Sequence, residues 1–230
     1  MKNNFPITYI MHCKKLKERK EELDRWIHEI PKKPIFINDY DAEELNKETI
    51  NKYYQYDEKI CKDFFKNDWK LNNAEISLNI KHIKAIEDFL QTQDEIALFL
   101  EDDAIPINIT SFKNEINECL LNTPLDADMI FIGRGISDEF INKKINKEGE
   151  KVNDKCYKIK SSNCSESYLI TRKAAKKLIK QIIPFHFCID WELEYRFKNS
   201  EYNIYWWVPP IFEQGSKNGK FKSTLDQGQR

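Results

Sequence analysis

The stretch Ala97-Leu98-Phe99-Leu100-Glu101-Asp102-Asp103 decides the fold, because an apolar run leads directly into three acidic residues. The apolar run predicts a buried strand, and open α/β sheets bind their ligands at the ends of such strands. Three neighbouring carboxylates repel one another, and a divalent cation relieves that repulsion. From these residues alone, a metal site and an ordinary solvated turn are equally supported.

The composition predicts a folded protein with no general attraction to nucleic acid. The chain of 230 residues is 40% hydrophobic, and its net charge of -1 gives no field that would draw it to nucleic acid or to an anionic membrane. The apolar runs are only strand-sized, and residues 1–6 lack the apolar core of a signal peptide. We therefore expect a cytoplasmic protein without a transmembrane segment. The six cysteines form no Cys-x-x-Cys pair, which predicts reduced, mostly buried thiols.

Strands and helices alternate near the start of the chain. Residues 7–11 are rich in β-formers, the apolar spacing over residues 16–30 fits one face of a helix, and residues 33–37 form a second apolar run. This order is the βαβ unit of parallel sheets. The predicted fold class is therefore α/β, with a mostly parallel central sheet flanked by helices, in a single domain over residues 1–230.

The remaining elements follow from periodicity and from capping residues. Residues 42–70 are polar with short helical pieces and predict an insertion or lid, and residues 138–154 predict an exposed loop or hairpin. Asn72 or Asn73 is predicted to cap a long helix that continues to about Leu90. The later strands are predicted at residues 97–100, 128–133, 167–170 and 202–208.

Five segments carry a recognisable order of motifs. They are Ile7-Thr8-Tyr9-Ile10 with Arg19, Glu75-Ile76-Ser77-Leu78-Asn79-Ile80-Lys81-His82, the stretch from Ala97 to Asp103, Tyr168-Leu169-Ile170 with Ala174-Ala175-Lys176-Lys177-Leu178, and Ile189-Asp190-Trp191. Together they resemble glycosyltransferase family 25, which includes lipooligosaccharide galactosyltransferases and collagen hydroxylysine galactosyltransferases. The resemblance runs from about Ile7 to Gln214, and its specificity lies in the ordered set of segments.

The resemblance implies a GT-A-type fold and inverting transfer of a hexose from a UDP-sugar, with Mn²⁺ or Mg²⁺ as the cofactor. Galactose is the favoured sugar, and glucose is next. The implied acceptor is a hydroxyl on a glycan, a lipid-linked saccharide or hydroxylysine, and a lipid-linked acceptor would place the protein at the periphery of a membrane. Elementary chemistry agrees, because a cation that bridges two phosphates acts as a Lewis acid for the leaving diphosphate.

The acidic stretch resembles the family's Asp-x-Asp motif. By that match Asp103 coordinates the metal directly, and Glu101 or Asp102 faces the donor ribose or a metal-bound water, with Glu101 as a second metal candidate. Their short spacing predicts that the three side chains do not all point at one ion. Gln214 also matches the family and is predicted to bring a carbonyl oxygen back to the metal. An ordinary C-terminal loop is an equal alternative for Gln214.

An inverting transfer needs a base beside the attacking hydroxyl, on the side opposite the leaving group. Asp190 matches the family's Ile-Asp-Trp position and is the predicted base, with Glu192 as the reserve candidate. The alternative for Asp190 is a plain helix N-cap, which contributes about 1 kcal/mol to stability and nothing to catalysis.

A second group of donor contacts is predicted in the segment from Glu75 to His82. Family members usually carry Ser where Lys81 stands, so a phosphate contact from Lys81 replaces the expected contact from Ser. For His82, a hydrogen-bonded histidine beside the core is favoured over a ligand.

At the end of the first strand, Met11, His12 and Arg19 are predicted to contact the donor. Family members usually carry Asn-Leu where His12-Cys13 stands, so uracil or ribose contacts are expected here by position only. These departures keep a rival function open, namely a catalytically silent relative that binds a sugar nucleotide or a glycan. A metal-dependent phosphoesterase is a third interpretation, but such sites gather more Asp and His ligands, and this chain holds only 4 His.

Two adjacent tryptophans, Trp206 and Trp207, alternate sides on a predicted strand. An indole face stacks well on the apolar face of a sugar. Core packing of both is the favoured prediction, and exposure of one of them to a sugar is the alternative.

Overall fold

The computed structural model describes residues 5–66, 68–135 and 137–224, and it begins with the predicted βαβ unit. The unit comprises β1 (Ile7–Met11), α1 (Lys17–Trp26), a 3-10 turn (Ile27–Glu29) and β2 (Ile35–Ile37). β1 and β2 pair in parallel, with Tyr9 opposite Ile35. Leu23 and Trp26 form the buried face of α1, as the apolar spacing predicts.

The polar region over residues 42–70 contains two short helices, and a long helix follows it. These are α2 (Lys47–Tyr53), α3 (Glu58–Phe65) and α4 (Asn73–Gln91). Asn72 caps α4, because its side chain accepts hydrogen bonds from the backbone N–H groups of Ala74 and Glu75. The Glu75 carboxylate accepts from the backbone N–H of Asn72 in return. This capping box fixes the start of α4 at the predicted position.

The rest of the described chain supplies most of the sheet. Its elements are β3 (Ile96–Glu101), β4 (Ala104–Pro106), α5 (Phe112–Asn122), β5 (Met129–Phe131), α6 (Asp138–Glu148), β6 (Glu150–Lys151), β7 (Cys156–Ile159), β8 (Ser167–Thr171), α7 (Arg172–Leu178), α8 (Ile189–Asn199), β9 (Ile204–Trp207) and β10 (Phe212–Gln214). In the described residues, eight strands form one sheet in the order β2-β1-β3-β8-β5-β9-β7-β6, and β10 pairs with β4 separately.

The sheet is mixed, so the prediction of a mostly parallel sheet is wrong. β1 is parallel to β2 and β3, and β5 is parallel to β9, but β8 runs antiparallel between β3 and β5. Parallel neighbours require a long crossover, which is usually a helix. Residues 160–166 contain no helix and lead the chain to the end of the sheet where β3 and β5 finish. β8 therefore begins at that end and runs in the opposite direction.

Residues 138–154 differ in part from their prediction as an exposed loop or hairpin, because most of the segment is a helix. They contain α6, followed by the start of the β6–β7 hairpin. The Ser137 hydroxyl accepts a hydrogen bond from the backbone N–H of Phe140 at 3.2 Å, and Ile141 is buried while Phe140 and Ile145 pack against the same core. These apolar positions have helical spacing, which the many charged residues between them obscure.

Alternate strand residues face two hydrophobic layers. One layer holds Phe99 and Trp206 beneath α4 and α8, and the other holds Leu100 and Trp207 beneath α1 and α5. Trp206 and Trp207 are 0% and 1% exposed, so both pack in the core as favoured, and neither faces a sugar.

The six cysteines are free thiols, and all except Cys13 are buried, in agreement with the sequence. Among the helices in the described part of the chain, none combines the length and the apolar character needed to cross a membrane.

Candidate functional site

A cavity of about 650 Å³ lies at the end of the sheet where β1 and β3 finish. This volume is typical of small-molecule sites. Most residues predicted to contact donor or metal line it, namely Met11, His12, Arg19, Glu75, Lys81, Glu101, Asp102, Asp103 and Gln214, together with the predicted base Asp190. His82 and Glu192 do not line it. The structure therefore brings together residues that are as distant in the sequence as Met11 and Gln214.

The acidic residues at the end of β3 point in different directions, as their spacing predicts. Glu101 faces the α4 and α8 side, where its carboxylate accepts a hydrogen bond from the Ser165 hydroxyl at 2.6 Å. Asp102 faces α1, where it accepts from Arg19 at 2.6 Å. Successive residues of a strand face opposite sides, so Asp102 is held away from Glu101. Asp103 follows in the turn between β3 and β4.

Asp102 is bound on all sides by the protein itself. Besides Arg19, its carboxylate contacts Nδ1 of His12 at 2.9 Å and accepts from the backbone N–H of Cys13 at 3.1 Å. Burial would raise the pKa of Asp102, but the hydrogen bond with His12 and the charge of Arg19 outweigh it and lower the pKa. Asp102 is thus an ionised group whose main contact is a buried ion pair.

Asp103 is left with a free oxygen. Its Oδ2 accepts from the backbone N–H of Ser216 at 3.3 Å and lies 3.8 Å from Arg19 Nη1. Its Oδ1 is buried, and no described residue donates a hydrogen bond to it. Burial raises the pKa of Asp103, and the charge of Asp102 adds to that rise, although Arg19 opposes it. An orphaned carboxylate oxygen at a cavity wall is a natural ligand for a cation.

Ser165 links Glu101 to Asp190. The Ser165 hydroxyl oxygen lies 2.6 Å from Glu101 Oε1 and 2.5 Å from Asp190 Oδ1, and the Ser165 backbone N–H donates to the same Asp190 oxygen at 2.9 Å. A hydroxyl carries one proton and can donate to only one of the two carboxyl groups. The second hydrogen bond therefore needs a proton on Glu101 or Asp190. The pKa of each is raised, chiefly by burial, which agrees with a shared proton.

Asp190 does not cap its helix. The N-cap of α8 is Cys188, and the Asp190 side chain bonds to Ser165 instead of to the backbone of its own helix. The alternative role of Asp190 as a plain N-cap is therefore wrong, since its carboxylate is directed across the cavity wall. The partner is 25 positions away, which the local sequence could not reveal.

Glu166 is a further buried carboxyl group at this cavity, and the sequence analysis missed it. Its Oε1 accepts from the backbone N–H of Gly135 at 2.6 Å, and the residue is 2% exposed. Burial raises its pKa to about 8, with further contributions from the charges of Asp190 and Asp103. Glu166 precedes β8, and only the reversed direction of that strand brings it to this end of the sheet.

The position of Glu166 depends on two glycines. A Cβ at Gly133 would lie 2.1 Å from Glu166 Oε1, which is far inside van der Waals contact. Gly135 has φ of +60°, a conformation that L-residues with side chains rarely adopt. The loop from Gly133 to Gly135 therefore holds the Glu166 carboxyl group close to its backbone.

His82 lies beneath the cavity rather than on its wall. Its Nδ1 is 2.9 Å from the Tyr168 hydroxyl, and its Nε2 is 3.6 Å from Glu101 Oε1. Complete burial lowers the pKa of His82 to about 3, so the ring stays neutral. This arrangement agrees with the favoured prediction of a histidine beside the core.

Lys81 reaches the cavity but is fully engaged in holding its wall. Its ammonium donates to Asp41 Oδ1 at 2.7 Å, to the His12 carbonyl at 2.5 Å and to the Ile37 carbonyl at 3.3 Å. These bonds join the ends of β1 and β2 to α4. The three protons of the ammonium group are thereby used, which leaves none for a phosphate.

Glu192 is a buried structural residue. Its carboxylate accepts from the backbone N–H groups of His186 and Phe187 at 2.9 and 3.0 Å, and it pairs with Arg196 one turn along α8 at 2.5 Å. It lies outside the cavity, so the structure does not bring the reserve base together with the other candidates.

Gln214 ends β10, which pairs with β4 immediately after the acidic turn. Gln214 is opposite Ala104, and the backbone N–H of Gly215 donates to the Asp103 carbonyl at 2.7 Å. This pairing returns the C-terminal segment to Asp103 and places Gln214 at the cavity wall.

The donor set fits a divalent cation that is shared with a ligand. Asp103, Glu101 and Gln214 offer the carboxylate and amide oxygens that Mg²⁺ and Mn²⁺ prefer. Within residues 5–66, 68–135 and 137–224, no three His, Cys, Asp or Glu side chains are grouped closely enough to hold a metal ion by themselves. Mg²⁺ commonly binds through one or two carboxylates and the phosphates of a substrate, which requires no such group.

We expect Glu166→Gln to make the metal-free protein less sensitive to rising pH. The folded protein raises the pKa of Glu166 from 4.5 to about 8, so the stability linked to its protonation is present below 4.5 and is lost as pH rises towards 8. That loss is on the order of a few kcal/mol. The neutral amide of Gln keeps the bond from Gly135 and does not titrate.

Thermal unfolding of the two proteins between about pH 5 and pH 8, without metal, checks this expectation. The Tm of the wild-type protein should fall more steeply with pH than that of Glu166→Gln. Equal slopes would show that Glu166 is already ionised at neutral pH.

Comparisons with known proteins do not assign this chain to a family. No protein-family model matches the chain, and no curated protein matches it. Among solved structures, the chain is similar to A197 from STIV, with a TM-score of 0.43 and 10% sequence identity over 90% of this chain and 83% of that one. A likeness at this level does not identify a family, and it carries no argument about function.

Proposed function

We propose that this protein is an inverting glycosyltransferase with a GT-A-type fold, which transfers a hexose from a UDP-sugar to a hydroxyl acceptor. Galactose is the first candidate sugar and glucose the second. The ordered motifs that resemble glycosyltransferase family 25 support the family, and the cavity at the end of β3 supports the chemistry.

The observation that carries the proposal is the concentration of carboxyl groups at one cavity. Glu101, Asp103, Glu166 and Asp190 all line it, and burial raises the pKa of each. Arg19 pairs with Asp102 at 2.6 Å and also lies 3.8 Å from Asp103. Such an excess of acid favours a cation and its anionic ligand, as a nucleotide sugar with Mn²⁺ or Mg²⁺ would supply.

In the proposed reaction, the acceptor oxygen attacks the anomeric carbon from the side opposite the diphosphate. The new C–O bond forms as the bond to the phosphate oxygen breaks, and the hydroxyl proton passes to Asp190. Ser165 contacts only Oδ1 of Asp190, so Oδ2 is the oxygen that takes the proton. A bound cation would neutralise the charge of the departing diphosphate.

The environment of Asp190 suits this task. A base works best when its pKa lies near the working pH, and burial moves the pKa of Asp190 upward from its usual value. The bonds from Ser165 also fix the orientation of the carboxylate, which lowers the cost of reaching the reactive geometry.

Release of UDP from a panel of UDP-hexoses tests the proposal. With Mn²⁺ present, we expect slow release from one UDP-hexose without an acceptor and faster release with one. Binding of UDP without release of UDP from any donor would instead support the silent sugar-nucleotide-binding relative. Hydrolysis of phosphate esters without a preference for UDP-sugars would support the phosphoesterase.

A further inference from the structure

We infer that Trp69 and Trp191 form a subsite for a saccharide acceptor at the mouth of the cavity. That the bound saccharide is the acceptor rests on the proposed function. The arrangement of the two indoles does not depend on that function. Such a subsite favours a saccharide acceptor over hydroxylysine in a peptide.

Both tryptophans line the cavity, and each is half-buried. By contrast, the side chains of Trp26, Trp206 and Trp207 are at most 1% exposed. Trp191 and Asp190 both lie at the start of α8 and line the same cavity, so a saccharide bound against this indole shares the cavity with the proposed base.

The two indoles are held in place by other aromatic rings. The Phe65 ring lies between them, with its centroid 4.9 Å from that of Trp69 and 5.1 Å from that of Trp191. Phe64 contacts Trp191 edge-on, with 6.4 Å between the ring centroids. These contacts join α3 to α8 and fix the indoles before a ligand arrives. A fixed surface binds more tightly, because little conformational freedom is lost on binding.

The chemistry of this wall matches a pyranose ring. One face of such a ring carries C–H groups, which pack against the electron-rich face of an indole, while its hydroxyls need polar partners at the edge. The side-chain oxygen of Asn163 is buried at the same cavity, and no described residue donates a hydrogen bond to it. Asn163 lies two positions before Ser165, which contacts Asp190. The side-chain oxygen of Asn163, which can accept a hydrogen bond from a sugar hydroxyl, therefore belongs to the wall that carries the base.

A uracil ring could also stack on an indole, but the cavity offers the nucleotide a separate wall. That wall is formed by α1 and the end of β1 and carries Arg19, whereas Trp191 shares the wall of α8 with Asp190. In an inverting reaction the acceptor and the leaving nucleotide lie on opposite sides of the anomeric carbon. An acceptor at Asp190 therefore lies on the side of the cavity that also carries Trp191.

Intrinsic tryptophan fluorescence, titrated with methyl β-galactopyranoside, methyl β-glucopyranoside and lactose, tests the subsite. We expect a saturable change with at least one of them, and a loss of affinity of about tenfold or more in Trp191→Ala or Trp69→Ala. Trp191→Leu preserves bulk without an aromatic face and should behave like Trp191→Ala. Tyr195→Ala is the matched control, because Tyr195 contacts Phe64 and Phe187 in the same cluster but lies outside the cavity.

Calorimetry with UDP and Mn²⁺ separates the subsite from the donor site. UDP affinity should stay within about twofold of wild type in each Trp variant. A loss of UDP affinity with unchanged saccharide affinity would overturn the inference and assign the indoles to uracil. Absence of a saccharide response in the wild-type protein, with a response to a hydroxylysine peptide, would also overturn it. Saccharide binding at Trp191 in a protein that binds no UDP would uphold the subsite and reject the transferase.

Discussion

Asp190→Asn is expected to reduce sugar transfer by about 100-fold or more, while UDP-sugar binding and thermal stability stay nearly intact. The amide oxygen of Asn can still accept both hydrogen bonds that Ser165 gives to Asp190 Oδ1. The amide cannot accept the proton of the attacking hydroxyl. Its neutrality also removes repulsion among the buried carboxyl groups, so the fold should not weaken. Transfer rates, UDP-sugar calorimetry and thermal unfolding measured on one preparation check the three parts of this result.

Glu192→Gln is the matched control, because Glu192 lies on the same helix two positions later. Its carboxylate supports two backbone N–H groups and Arg196, so the variant should lose stability and keep transfer at temperatures where it is folded. The reverse pattern, with transfer lost only in Glu192→Gln, would reassign the base to Glu192.

Asp103→Ala is expected to abolish Mn²⁺-dependent binding of UDP without unfolding the protein. Its Oδ1 has no hydrogen-bond partner among the described residues, and its Oδ2 accepts a bond of 3.3 Å from Ser216 and lies 3.8 Å from Arg19, whose shorter contact is with Asp102, so the fold should survive loss of the side chain. The turn itself is held by the backbone, through the bond from Gly215 N–H to the Asp103 carbonyl. Calorimetry of UDP with and without Mn²⁺ measures the effect, and transfer should fall together with binding.

Asp102→Asn should give the opposite result, although it changes the neighbouring residue. It weakens a buried ion pair with Arg19, and breaking such a pair costs about 3–5 kcal/mol. A marked fall in Tm is therefore expected for Asp102→Asn and not for Asp103→Ala. Unchanged UDP affinity in Asp103→Ala with Mn²⁺ present would remove Asp103 from the metal site.

Among the residues that line the cavity, those that follow a strand were easier to predict from the sequence than those that precede one. The apolar run before Glu101 marked a strand end, and the acidic residues there line the cavity. Ser165 and Glu166 precede β8, and a mostly parallel sheet would have left them at the far end. They reach the cavity only because β8 runs antiparallel to β3. The sequence does show an apolar run directly after Glu166. Whether that places Glu166 at the cavity depends on the direction of the strand, which hydrophobic periodicity does not reveal.

Side-chain partners were the least predictable part of the candidate site. Asp190 and Glu192 look alike in the sequence, yet one is directed to Ser165 and the other to backbone N–H groups of the segment that precedes α8. The spacing of Glu192 and Arg196 fits a helical ion pair, and this spacing alone could have marked Glu192 as structural. Lys81 likewise finds its partner Asp41 forty positions away.

The close approach of Gly133 to Glu166 has a consequence for how this sequence can vary. A Cβ at position 133 would lie 2.1 Å from Glu166 Oε1 and 2.6 Å from the Ser167 hydroxyl oxygen, so it would displace the Glu166 carboxyl group from the backbone N–H of Gly135 and also push against Ser167. Substitution of Gly133 should therefore require changes at both positions 166 and 167. Among homologues, glycine at position 133 should accompany glutamate at 166 and serine at 167, and departures from glycine should occur together with changes at those positions.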